Sequence, residues 1–195
     1  MEGDDKMSYF PVLVCHDSMQ EVSTALKPYD ELHLEEEPWQ LMSRDEAIQL
    51  ARYGYDMGNE SEDECIHEVQ SQFGCDLDEA GNLVSRYNRN AKFTYFRIGG
   101  HWKNRMKVRP HLILALAMYV NTSGYGDTAF GNEIFPESLG FIRNVITPDG
   151  EWHKLGQPEW SQEETDEEDV IEQIKKYLEQ FPGKLFTVVD CCSVE

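Results

Sequence analysis

Positive charge is scarce in this chain. Its 195 residues hold 17 Lys and Arg against 37 Asp and Glu, a formal net charge of -20. A field of that sign repels long polyanions and attracts basic partners, which argues against direct nucleic-acid binding. Long apolar runs are lacking as well. The longest, residues 112–120, is about half of the roughly 18 residues that mark a membrane-spanning helix. The opening MEGDDKMS lacks both the positive start and the apolar core of a signal peptide. The expectation is therefore a cytoplasmic protein with no membrane partner. Cysteine is sparse: Cys15, Cys65, Cys75, Cys191 and Cys192 make an odd number with no C-x-x-C pair. That excludes a disulfide scaffold and fits free thiols in a reducing compartment. No Gly-Lys-Ser/Thr follows the glycine-rich stretch, so no phosphate-binding loop is read there. The sequence calls for no metal and no cofactor.

What is present is enough for a core. Hydrophobic residues make up 40%, with nine Phe, nine Tyr and four Trp, too many for a disordered chain. The expectation is one domain over 1–195, with a flexible polar segment near 56–64 and a glycine-rich loop near 121–132. The fold class expected is α+β, a mixed or mostly antiparallel central sheet with helices on one or both faces.

Local patterns place the elements. YFPVLVC (9–15) and LFTVV (185–189) read as buried strands from the two ends of the chain. Asp17 or Ser18 is a candidate cap for a helix that Pro28 ends. ELHLEEEPW (31–39) alternates at Leu32 and Leu34 and reads as a short strand. Ser43 with Glu46 has capping-box spacing and opens a helix. Ile66, Val69 and Phe73 share one face of another, and Gly74 stops it. DLDEAGN lacks the spacing of a calcium loop. Residues 93–98 read as a strand ending at Gly99-Gly100, and 111–120 as an apolar helix. Pro148-Asp149-Gly150 is a hairpin turn that sends Trp152 and His153 to opposite faces. Val170, Ile174 and Leu178 form the stripe of a last helix whose early turns are acidic.

One segment reverses the charge. The forty residues from Tyr87 through Gly126 contain no Asp or Glu. Within them lie Arg97, Lys103, Arg105, Lys107 and Arg109. Two readings of the RIGGHW box stand. In one, Gly99-Gly100 makes a sharp turn and Trp102 anchors it. In the other, Arg97, His101, Lys103 and Arg105 bind an anion, with His101 able to act as acid or base. A second cluster arises if the first and last strands are parallel neighbours. Cys15, His16 and Asp17 would then meet Asp190, Cys191 and Cys192, a set suited to thiol chemistry or zinc; buried thiols and a capping Asp17 are the plainer reading. The acid run from Glu159 to Glu172 is either a solvated helix start or a mimic of nucleic-acid charge, which in DNA is one phosphate per roughly 1.7 Å.

FTYFRIGGHW (93–102), VITPDGEWHKLG (145–156) and FTVVDCC (186–192), with the opening YFPVLVC, resemble a family of small proteins carried by bacteriophages and other mobile elements. Its members show an IGGRW-like box, a TPDG-W turn and a terminal TIVDCH-like strand. Gly99, Gly100, Trp102, Asp149, Gly150, Trp152 and Asp190 match the recurring positions. His101 stands where the family has Arg, which weakens an anion role there. Cys192 stands where it often has His. The resemblance implies a phage accessory setting, in which small acidic inhibitors of host defence are common. The expected function is thus a non-catalytic protein that binds and inhibits a basic, nucleic-acid-binding host immune complex. Glu163, Glu164, Glu167, Glu168 and Asp169 would carry the contact. The alternative is an enzyme or sequestering protein for a small phosphorylated or nucleotide-like ligand held by Arg97, His101, Lys103 and Arg105.

Overall fold

The computed structural model describes residues 7–109, 124–156 and 166–194. The helix expected over 111–120 and the first part of the acid run, including Glu163 and Glu164, lie outside them. The chain divides into two compact units. Residues 1–31 and 90–195 form the first, and Leu32–Arg89 forms the second. The backbone where the chain leaves and re-enters the first unit is tied together, with the Lys92 amide donating to the Tyr29 carbonyl and the Glu31 amide to the Phe93 carbonyl.

The first unit is built on two long antiparallel strands, β1 (Met7–His16) and the final strand (Leu185–Val194). They pair over their whole length, from Met7 opposite Val194 to His16 opposite Leu185. On the other side of β1 lies a strand at Asn144–Ile146, parallel to it, followed by its hairpin partner Trp152–Lys154. The free edge of the final strand is shared. Tyr95–Ile98 pairs with its later half and Thr128–Phe130 with its beginning. The sheet is therefore mixed and mostly antiparallel, as expected from the sequence.

Alternation along the strands gives the sheet two apolar faces. On one face Leu13, Phe186 and Val188 pack against Val170, Ile174 and Leu178, all from the helix at Glu167–Gln180, which Asp166 caps. On the other face Val12, Val14, Ile146 and Val189 pack against Val22 and Leu26, from the helix α1 (Glu21–Leu26). Burying a side chain of this size contributes roughly 1.5–3 kcal/mol, so the two faces hold the first unit together. α1 starts later than the sequence suggested. Its first residue, Glu21, reaches back to accept from the Asp17 amide and the Ser18 hydroxyl, so neither residue acts as a side-chain cap.

The second unit contains β2 (Trp39–Met42), α2 (Arg44–Gly54), α3 (Glu62–Phe73), β3 (Asp76–Leu77) and β4 (Leu83–Ser85), with the strands in the order β2-β4-β3. Ala47, Ile48, Ala51, Cys65, Ile66, Val69 and Leu83 form its core. Phe73, expected on the buried face of α3, is 43% exposed. Both helices open with a complete capping box, Ser43 with Glu46 and Ser61 with Glu64, and Gly74 ends α3 in the left-handed region. Glu35–Glu37 do not form the strand expected over 31–39. Leu32 and Leu34 are exposed, and Glu35 instead makes a two-pronged ion pair with Arg89. Pairing begins only at Trp39. Asp78 accepts from the amides of Ala80 and Asn82, which makes DLDEAGN an Asp-closed turn between β3 and β4.

The remaining strands complete the chain-order numbering: β5 (Tyr95–Ile98), β6 (Met106–Lys107), β7 (Tyr125–Gly126), β8 (Thr128–Phe130), β9 (Asn144–Ile146), β10 (Trp152–Lys154) and β11 (Leu185–Val194). The helix at Glu167–Gln180 is α4, and β6 pairs with β7. Phe93 lies just outside β5, in an isolated bridge to Asp30.

Candidate functional site

Val188 sits where β5 and β8 divide the edge of β11. Its carbonyl accepts from the Gly99 amide and its own amide donates to the Asp127 carbonyl. The chain leaving β5 must turn sharply there, and two carboxylates fix the turn. Asp190, 2% exposed, uses Oδ2 to accept from the His101 amide at 3.0 Å and from His101 Nδ1 at 2.7 Å. Asp127 Oδ1 accepts from the Asn104 amide at 2.6 Å. Both glycines have positive φ, and a methyl group would strike Asp127 at Gly99 and Asp190 at Gly100.

This arrangement holds the His101 ring by Nδ1 while leaving 53% of its side chain exposed. The Tyr9 ring lies 4.3 Å away, centroid to centroid. A carboxylate-held imidazole has the geometry of an oriented proton acceptor at Nε2. By itself it supplies a base and no reaction.

The other cations of the box do not converge on His101. Arg97 is exposed on β5, in register with Asp190, and Lys103 is exposed. Arg105 lies over Trp102 at 5.3 Å and over Phe141 at 5.0 Å, and those two rings stack at 10°. Lys107 and Arg109 both lie over Phe135. Three of the five cations thus rest on aromatic faces, where the ring quadrupole attracts them. Among the described residues none of the five forms an ion pair with an acid.

The cluster expected from parallel end strands does not form. β1 and β11 are antiparallel, with Pro11 opposite Asp190 and His16 opposite Leu185. Asp190 is therefore five residues along the sheet from His16, about 17 Å. Burial pushes the Cys15 thiol up to about 12 and raises that of Cys191 further. Both stay protonated and inert at neutral pH. No group of three metal-ligating side chains gathers among the described residues. Asp17 pairs with Lys184.

His16 itself is buried, with Nε2 2.7 Å from the Thr187 hydroxyl, which is 2.8 Å from that of Thr128. Burial lowers its pKa, against the raising influence of the Ser18 backbone and of Glu21 and Asp17. A pH dependence follows. As pH falls through the ordinary His value near 6.5, the unfolded chain binds a proton at residue 16 that the folded chain still refuses. Stability is then lost on acidification, by at most about 1.4 kcal/mol per pH unit, down to the depressed folded value. Urea titrations across this window should show a steeper loss in the wild type than in His16→Asn. Equal slopes would contradict the assignment.

The hairpin forms as its turn signal indicates. Trp152 lies opposite Ile146 and His153 opposite Val145. Trp152 packs on the α1 face, whereas His153 reaches Thr147 Oγ1 at 3.1 Å and the Tyr177 ring on α4. Sequence reasoning missed Asp127, which lies in a glycine-rich stretch with no local signal of its partner. No helix among the described residues is long and apolar enough to cross a membrane.

No family model matches the chain, and comparison with curated proteins and with solved structures finds no match.

Proposed function

We propose that this protein is a non-catalytic inhibitor of the bacteriophage type. In this reading it covers the basic, nucleic-acid-binding surface of a host immune complex with an acidic surface of its own. The observation that supports this reading is the charge of a folded unit. Leu32–Arg89 carries fourteen acidic and four basic side chains, half of the net charge of the whole chain. In α3, Glu62, Asp63, Glu64 and Glu68 lie within about 9 Å of helix axis, roughly one carboxylate per 2.3 Å. That approaches the one phosphate per 1.7 Å of duplex DNA. Arg44 lies near Glu62 and Asp63, but exposed pairs of this kind are weak. The capping box fixes Glu64 and orders the first turn of the helix. A second acidic edge is the start of α4, where Glu167, Glu168 and Asp169 are exposed.

Tagged protein should retain a basic nucleic-acid-binding protein from a bacterial lysate after nuclease treatment, and salt or added duplex DNA should release it. Two charge-reversed variants assign the contact: Glu62→Lys with Asp63→Lys and Glu68→Lys, and Glu167→Lys with Glu168→Lys and Asp169→Lys. Reversal on the contacting surface should weaken binding on the order of 100-fold with the circular dichroism spectrum unchanged. Retention of the partner at wild-type affinity by both variants would sink the proposal.

A further inference from the structure

Phe10, Tyr29 and Trp152 are half-buried against the apolar cluster on the α1 face of the sheet. They form the floor of a groove of about 690 Å³, within the first unit. The floor is held in place. The Trp152 indole donates to Asn144 Oδ1 at 3.0 Å, the Tyr29 hydroxyl donates to the Gly150 carbonyl at 2.6 Å, and the two rings lie 4.8 Å apart. Phe10 meets the indole edge-on at 6.3 Å. Lys92, Arg143 and Lys154 line the same groove, with Glu151 as its one acid. Three cations lining one groove stand out in a chain with a net charge of -20. Arg143 is anchored through Nη1, which donates to the carbonyls of Gly140 and Ile142, so its planar fork has a fixed position. Lys92 is exposed, and its ammonium group has no acid partner among the described residues.

We propose that this groove is a binding site for a small aromatic phosphomonoester, of which a mononucleotide is the plainest example. The groove has the size of a small-molecule site, in the range of about 300–1,000 Å³. A planar base finds fixed ring faces to stack on. A terminal phosphate carries roughly two negative charges at pH 7, and the cations lining the groove outnumber its one carboxylate. Arginine recognises phosphate through paired N–H donors, and lysine does so as a point charge. A long single strand fits less well, because its further phosphates would meet the repulsive field of the acidic chain. The site uses none of Arg97, His101, Lys103 and Arg105 and none of the acidic surface proposed to bind a partner. It therefore stands or falls independently of that function.

Titration calorimetry with adenosine 5′-monophosphate, adenosine and ribose 5-phosphate tests the proposal. The nucleotide should bind saturably. Loss of the phosphate or of the base should each weaken binding at least tenfold. Lys92→Glu and Lys154→Glu together should weaken nucleotide binding at least tenfold; both are exposed, and circular dichroism checks that the variant folds. The amide bond from Lys92 to Tyr29 is a backbone bond and survives the change. Absence of binding by purine and pyrimidine monophosphates at millimolar concentration would overturn the proposal. So would nucleotide affinity unchanged in the double variant. Affinity that rises steadily with oligonucleotide length would replace the mononucleotide with a strand and overturn it equally.

Discussion

Gly100→Ala is expected to destabilise the first unit by about 4 kcal/mol, read as a lowered urea midpoint. Two costs add. The backbone at residue 100 has φ +48, where an L side chain costs about 1–2 kcal/mol. The new methyl group would also lie 2.2 Å from Asp190 Oδ2 and 2.3 Å from Asp190 Cβ. Asp190 cannot yield. It sits in β11 between β1 and β5, and its carboxylate is already committed to His101. Overpacking of this kind typically costs about 1–3 kcal/mol. Gly150→Ala separates the two costs. Gly150 has φ +85, and a Cβ there meets nothing within 4 Å. That variant should lose only the backbone part, about 1–2 kcal/mol. Equal losses in the two variants would mean that the Asp190 contact relaxes freely, and the turn would not be pinned as described.

What the sequence makes legible is what short-range chemistry controls. Ser43 and Glu46 lie three residues apart, so their capping box is visible before any fold is known. The same holds for the turn at Pro148-Asp149-Gly150 and for Val170, Ile174 and Leu178, all of which are buried as the helical period requires. The alternation of Leu32 and Leu34 misleads because a strand needs a partner with a matching face, and nothing local says whether one exists. The direction of β11 relative to β1 is also non-local. Reversing it separates His16 from Asp190 by the length of five residues and dissolves the thiol cluster.

The last acid before Asp127 is Glu79, so the composition changes inside the second unit, which ends at Arg89. The cations at residues 97–109 are close together in the sequence. In the fold Arg105 lies over Trp102 and Phe141, whereas Lys107 and Arg109 lie over Phe135. Lys92, Arg143 and Lys154, drawn from positions up to 62 residues apart in the sequence, share one groove. Linear proximity is a poor guide to convergence in a sheet, because successive side chains alternate faces while paired strands bring distant residues together.

Asp190→Ala is expected to cost about 3 kcal/mol, and Asp190→Asn about 1 kcal/mol. The carboxylate oxygen Oδ2 takes two hydrogen bonds from His101, and bonds to a charged acceptor are worth roughly 1.5–3 kcal/mol each. Part of that gain offsets the cost of burying the charge, so the net loss is below the sum. Asparagine keeps an oxygen acceptor for the His101 amide and loses only the charge-assisted part. Alanine leaves that amide without its acceptor. Hydrogen exchange at the His101 amide should accelerate strongly in Asp190→Ala and modestly in Asp190→Asn, alongside the shift in urea midpoint. If Asp190→Ala instead matches the wild type in stability, the buried carboxylate contributes nothing net to the fold. A carboxyl group kept at 2% exposure without a stabilising role would then point to the His101 ring as the reason for its presence. The dyad would become the first place to look for chemistry rather than a device that closes a turn.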